Sequence, residues 1–234
     1  MLTINFKKIG LKDGDCILDL GCGVGRHVIT SYALKNVQAV GLDLSHADLL
    51  TAKSRFTEEF EEPQNSRKSF GLAVGNALSL PFADNTFDKV ICSEVLEHIP
   101  DYRSVLKEIR RVMKPGGIFA ASVPRFFPEW ICWKLSEAYH NEAGGHIRIF
   151  NAETLRHAIE DEGLACFGRH GAHALHVPYW WLQCLFWTSR EKSKIIKAYH
   201  RFLVWDLIKK PWITQTLDRI LNPVMGKSIV MYFK

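Results

Sequence analysis

Apolar and polar positions change their period repeatedly along the chain. Short β-branched or apolar runs at 16–20, 38–43, 70–75, 87–93 and 117–123 predict strands, with a sixth at 165–177 and a seventh at 227–233. Between them, apolar residues recur at helical spacing. Helices are predicted over 24–35, from Ser45 onward, where Asp48 completes a capping pair, and over 102–113, which stops ahead of Pro115 and Gly116. The alternation is that of an α/β protein with a doubly wound, Rossmann-like sheet of seven strands and helices on both faces.

Composition narrows this to one body. The 234 residues are 47% hydrophobic, enough for a single sizeable core, so 1–234 reads as one domain with embellishments. The start of the chain lacks the apolar stretch of a secretory signal, which leads us to expect a cytoplasmic protein. The cysteines at 16, 22, 92, 132, 166 and 184 form no CxxC pair and are expected to be reduced thiols.

Candidate chemistry begins at ILDLGCGVGRH, where a strand runs into a glycine-rich turn and then a helix. A dinucleotide fingerprint needs G-x-G-x-x-G, but here Gly21, Gly23 and Gly25 alternate and Arg26 stands where the third glycine belongs. A carboxylate at Asp19 would also repel a pyrophosphate. It suits a ligand carrying an ammonium and a sulfonium, both of which S-adenosylmethionine has. Asp43 ends the second strand at the place where an acid reaches ribose hydroxyls.

Three further segments carry a resemblance: GNALSLPFADNTFDKVICSEVLEHIPD, LKEIRRVMKPGGIFAASVP and HIRIFNAETLRHAIEDEGL. Together with the glycine turn they resemble the class I S-adenosylmethionine-dependent methyltransferases, within the type 11 small-molecule group that includes quinone- and sterol-methylating enzymes. The resemblance covers roughly 14–177 and the last strand. It implies the class I methyltransferase fold and S-adenosylmethionine as cofactor. Asp19, Gly21, Cys22 and Gly23 would hold the methionine end, Asp43 and Leu44 the ribose, and Asn76, Ala77 and Leu78 the adenine. Ser93 and Glu94 would form the floor near the methyl group. The family usually has an acid where Asn76 stands, although an amide oxygen can accept the same bond from adenine. Plainer roles stay open: Asn76 as a strand-end turn, Asp19 as a buried acid tying down its own turn, and Asp43 as a helix cap.

Direct methyl transfer asks mainly for positioning, and for a base only where the acceptor must lose a proton. The candidates are His146, in the H-x-R-x-F segment that the resemblance places at the mouth of the site, and His98 after the fourth strand. The chain has neither an N/D-P-P-aromatic motif nor a Pro-Cys pair, so chemistry on nucleic-acid bases is disfavoured. His170, His173 and His176 invite a metal reading, but on a strand His173 would point away from the other two, and no metal is expected.

The segment 178–225 is a helical insertion before the last strand. Its eight Lys or Arg against three Asp or Glu account for the chain's whole net charge of +5, and it holds five of the seven tryptophans. Thr188 with Glu191 predicts a helix start, and Ile196, Tyr199, Leu203 and Leu207 predict an inward face. A basic, aromatic, amphipathic hairpin reads as a lid or a membrane-surface element. Packing of the tryptophans as a simple lid is the alternative, and RNA binding is disfavoured. PYWWLQCLFW is too short to cross a bilayer. The resulting expectation is methyl transfer to O or C of a small, hydrophobic acceptor such as a lipid, isoprenoid or quinone precursor. Alternatives are a sugar or glycolipid head group, a non-catalytic S-adenosylmethionine sensor or scaffold, and a nicotinamide-dependent oxidoreductase.

Overall fold

The computed structural model describes residues 2–61, 68–142 and 144–234. The strands are β1 (Cys16–Leu20), β2 (Gln38–Asp43), β3 (Ser69–Val74), β4 (Phe87–Ser93), β5 (Met113–Pro124), β6 (Cys166–Ala172) and β7 (Ser228–Phe233). They form one sheet in the order β3-β2-β1-β4-β5-β7-β6. Strands β1 to β5 pair in parallel, while β7 runs antiparallel to both β5 and β6. Strand order reverses between β1 and β4, which is where such sheets open a crevice for ligands.

Because successive strand residues face opposite ways, each strand feeds two cores. Leu18, Leu20, Val90, Cys92, Phe119 and Met231 pack on one side, beneath α4 (Tyr102–Val112) and α7 (Ala152–Glu160). Ile17, Ala39, Ile91, Ala120, Val230 and Tyr232 pack on the other, beneath α2 (Arg26–Leu34) and α3 (His46–Glu59). α4 shows why the sequence folds locally as it does: Val105, Leu106, Ile109 and Val112 are buried along one stripe, and Asp101 caps the start by accepting the Ser104 amide. Ser45 caps α3 in the same way, as its spacing to Asp48 predicts.

Several predicted boundaries move. β5 starts at Met113 rather than 117 because Met113 pairs with Phe87 across an irregularity that the left-handed Gly116 accommodates. β6 ends at Ala172, not 177: His173 takes a left-handed conformation and a short 3-10 turn, Ala174–His176, follows. The strand argument against a His170, His173 and His176 metal site therefore lapses. Before β1 stands a single helical turn, α1 (Phe6–Ile9).

Three helices separate β6 from β7: α8 (Val177–Leu185), α9 (Lys194–Lys209) and α10 (Trp212–Met225). α9 is capped by Ser193, not Thr188, because 187–189 form a 3-10 turn. Its inward face is Ile196, Tyr199, Leu203 and Asp206, and Leu207, predicted to face in, is exposed. Asp206 takes the inward place, where its Oδ1 accepts a bond from the Gln215 side chain at 3.4 Å. Among the described residues no helix is long and apolar enough to cross a membrane.

Candidate active site

β1 delivers the chain to Gly21 at φ +70, where a β-carbon would collide with Val95 in the loop after β4. Glycine is thus required by close approach as well as by conformation. Gly23, also left-handed at φ +49, donates its amide to Asp43 Oδ2 at 2.7 Å, and Asp43 Oδ1 accepts the Ser45 amide at 2.8 Å. One carboxylate therefore ties the glycine turn to the start of α3. Asp19 lies behind the turn, 2% exposed, and accepts the Val28 amide at 3.0 Å. Burial pushes its pKa up to about 7, against that hydrogen bond. His27 Nδ1 is 4.0 Å from Asp19, and its Nε2 accepts the Thr3 amide. Burial and Arg26 hold the His27 pKa down to about 3, so the ring is neutral.

The turn opens onto a cleft of about 420 Å³ at the carboxyl ends of β1, β2 and β4. Of the eleven residues expected to hold the cofactor, seven line it: Gly21, Asp43, Leu44, Asn76, Ala77, Leu78 and Glu94. Asp19, Cys22, Gly23 and Ser93 support it from behind, with Cys22 and Ser93 buried. The lining carries two carboxylates, Asp43 and Glu94, and neither lysine nor arginine, which suits a cationic ligand and opposes a pyrophosphate. Leu44, 70% exposed, and Leu78 stand at the rim as apolar walls. The Asn76 oxygen accepts the Leu78 amide at 2.9 Å, closing its own turn. Asn76 thus does what the plainer reading expects, and its oxygen keeps a second lone pair.

Glu94 sits at φ +58, a costly conformation for a residue with a β-carbon, and three contacts hold it there. Its amide bonds the Ser122 carbonyl, Ser122 Oγ donates to Oε1 at 2.9 Å, and Lys227 approaches Oε2 at 3.9 Å. Ser93 and Ser122 share a hydroxyl contact at 2.8 Å.

Next to the cleft lies a second polar group, half of it unforeseen in the sequence. His98 lines the cleft and its Nδ1 faces the Gly145 carbonyl at 3.1 Å. His146 packs edge-on against it, ring centroids 5.0 Å apart. His146 Nδ1 bonds Glu129 at 2.6 Å, and Glu129 also accepts the Tyr139 hydroxyl at 2.9 Å. Burial pushes the Glu129 carboxyl up, but these two hydrogen bonds outweigh it and hold the pKa below the ordinary value. The other ring nitrogen, Nε2, is 3.9 Å from Glu97, whose side chain is fully buried with neither oxygen hydrogen-bonded. Burial, reinforced by Glu94, drives the Glu97 pKa well above the ordinary carboxylate value. Glu129, on α5 (Phe126–Leu135), Glu97 and Tyr139 escaped the sequence reading. An isolated acid within the aromatic run FFPEWICW is the signal that could have found Glu129.

Glu97, His98 and His146 also present ligand-type atoms within 4.8 Å of one another. Among the described residues this group, and not His170, His173 and His176, has ligand-type atoms close enough to share an ion.

Residues 18–121 match the methyltransferase domain family. A sterol 24-C-methyltransferase from Aspergillus fumigatus is 33% identical over 174 residues, which are 72% of this chain and 42% of that protein. A demethylmenaquinone methyltransferase from Lactococcus lactis is 39% identical over 113 residues, 47% of this chain and 42% of its own. The chain thus spans about two fifths of the length of these relatives. A structure described as a methyltransferase from Bacillus halodurans superposes with a TM-score of 0.62 at 21% identity, covering 97% of this chain and 95% of that one. The [4+2]-cyclase SpnF shares the fold at 19% identity and a TM-score of 0.64, with 98% and 78% covered, so the fold alone does not name the reaction. Residues 18–121 form a methyltransferase domain on the class I fold, and S-adenosylmethionine is the cofactor of this domain.

Proposed function

We propose that the protein transfers a methyl group from S-adenosylmethionine to an oxygen or carbon of a small lipid-like acceptor, with His146 removing the acceptor's proton. The observation that carries this is the Glu129–His146 pair beside a cleft lined for a cation. S-adenosylmethionine supplies a methyl group on a positively charged sulfur, already an excellent leaving group. Asp43 would hold the ribose, Leu44 and Leu78 would flank the adenine, and Gly21 and Gly23 would let the methionine end approach the backbone. Glu129 fixes the Nδ1–H form of His146 and so leaves Nε2 as the base. As the proton reaches Nε2, the charge that forms on the ring lies 2.6 Å from the Glu129 carboxylate. A hydrophobic acceptor is supported by the sterol- and menaquinone-methylating relatives. The aromatic wall of Tyr139, Trp180 and Trp187 supports it too, with centroids 6.2 and 5.4 Å from Tyr139 to the two indoles. α8 to α10 then serve as a lid and as a peripheral contact with the membrane surface from which such an acceptor comes.

The test is transfer of labelled methyl from S-adenosylmethionine into a cell extract, followed by partition between organic solvent and water. Label in the organic phase is expected. Label confined to water would move the acceptor to sugars and polar head groups, and cofactor binding without transfer would favour a sensor. A second reading comes from the spacing of Glu97, His98 and His146, which suits a divalent cation. Activity that survives dialysis against a chelator is expected of the proton pathway. Activity lost to the chelator and restored by a divalent cation would assign the metal.

A further inference from the structure

α10 is amphipathic in the wrong direction for a helix that only packs on its own protein. Ile213, Leu217, Ile220 and Val224 repeat at helical spacing and are 60, 43, 66 and 74% exposed, with Trp212 beside them at 76%. The opposite face lies directly on β6: a β-carbon at Gly171 would collide with the Asn222 carbonyl, and Asn222 Oδ1 accepts the Ala174 amide at 2.9 Å. The apolar stripe is thus held outward by contacts with the sheet.

Between α10 and the β6 edge lies a cavity of about 660 Å³, far along the sheet from the cofactor cleft. Arg125, Arg169 and Arg219 converge on it. Arg125 is held by a bond from Nη1 to the Pro223 carbonyl at 2.7 Å, and its pKa is lowered by burial and by the neighbouring Arg169 guanidinium. Arg169 pairs with Glu153 at 2.7 Å, but among the described residues Arg125 and Arg219 have no carboxylate partner. Asp218, the one acid in the lining, is already engaged: its two oxygens accept the Leu175 amide at 3.1 Å and the Asn222 side chain at 2.9 Å. His170, the residue after Arg169 along β6, turns its ring to the other face of the sheet, where it stacks on Tyr232. Like charges brought together with no acid free to balance them form a site for an anion.

We propose that this cavity binds the phosphate of an anionic phospholipid head group while the outer stripe of α10 lies in the same membrane surface. The proposal rests on the membrane contact proposed above and names its partner. Arg219 joins the two parts, because it sits on the flank of α10 between the apolar stripe and the cavity, where a long side chain can reach head-group level. The basic outer face of α9, with Lys194, Lys197 and Arg201, adds attraction to the same surface without selectivity.

The experiment is sedimentation of the full chain with vesicles of phosphatidylcholine containing either phosphatidic acid or phosphatidylserine, matched in surface potential. The wild type is expected to prefer phosphatidic acid, and Arg169→Gln/Arg219→Gln to lose that preference, with a drop of about fivefold per guanidinium removed. Lys194→Gln/Lys197→Gln is expected to weaken binding to both vesicles equally. No preference in the wild type, or one that persists in Arg169→Gln/Arg219→Gln, would overturn the head-group site while leaving membrane contact intact. Ile213→Ser/Leu217→Ser/Ile220→Ser tests that contact separately, since undiminished binding would overturn it. Titration with inorganic phosphate separates the sources. Arginine-dependent binding of free phosphate, with vesicle binding indifferent to head group, would assign the cavity to a soluble anion and overturn the lipid.

Discussion

Replacing His146 with alanine is expected to lower the rate of methyl transfer by about 10²- to 10⁴-fold, the usual yield of a positioned general base, with affinity for S-adenosylmethionine unchanged. The split follows from geometry: His146 is absent from the lining of the cofactor cleft, whereas His98 belongs to it. Glu129→Gln keeps an oxygen that can accept the His146 Nδ1–H but removes the negative charge beside the ring, so kcat should fall with little change in KM for the cofactor. Tyr139→Phe removes one of two hydrogen bonds to Glu129 and should cost about fivefold, the worth of one net hydrogen bond. Single-turnover rates and cofactor titrations on the three variants decide the matter. Equal loss of rate and cofactor affinity in His146→Ala would make the histidine a structural support. A Glu129→Gln enzyme as fast as wild type would remove the dyad from the mechanism.

The two halves of this site differ in how far they could be read from residues alone. The cofactor half is built from local sequence: a strand, a glycine turn and an acid at the end of the next strand must meet once the sheet forms in parallel, and Asp43 does bond Gly23 across 20 positions. Asn76 and Leu78 follow from the end of β3 for the same reason. The histidine half is built from long-range contacts. Glu129 reaches His146 from a helix after β5, and Glu97 meets them from the 3-10 turn Leu96–His98 after β4, so no spacing in the chain announces the group. The insertion shows a third kind of limit. Periodicity revealed an amphipathic α9 but placed Leu207 inside, because it cannot foresee that the Asp206 side chain finds Gln215 across the α9–α10 corner, where Lys210 turns left-handed ahead of Pro211. It also cannot tell an apolar stripe that faces the core from the one on α10 that faces out.

Asp19 leads to the second large effect. Its carboxyl is 2% exposed, and its pKa in the folded protein is raised to about 7 from an ordinary 3.8. Over that interval the folded state holds a proton that the unfolded chain releases, so this group's contribution to stability is present below pH 4 and lost as the pH rises to 7, by about 4 kcal/mol in all. His27, lowered to about 3, contributes with the opposite sign, gaining stability as the pH rises through the same range. The wild-type curve alone therefore conceals the effect, and the difference between Asp19→Asn and wild type isolates it. Asp19→Asn is expected to gain on the wild type steadily between pH 4 and 8 in urea unfolding of the cofactor-free protein. The cofactor reverses the balance, because a ligand bearing an ammonium and a sulfonium favours the ionised carboxylate behind the glycine turn. Binding should then release a proton near pH 6, tighten as the pH rises to about 7, and lose that dependence in Asp19→Asn. Calorimetric titrations in buffers of different ionisation enthalpy read the proton directly. Parallel stability curves for the two proteins, with no proton released on binding, would show Asp19 ionised throughout and leave its carboxylate to hold the turn alone.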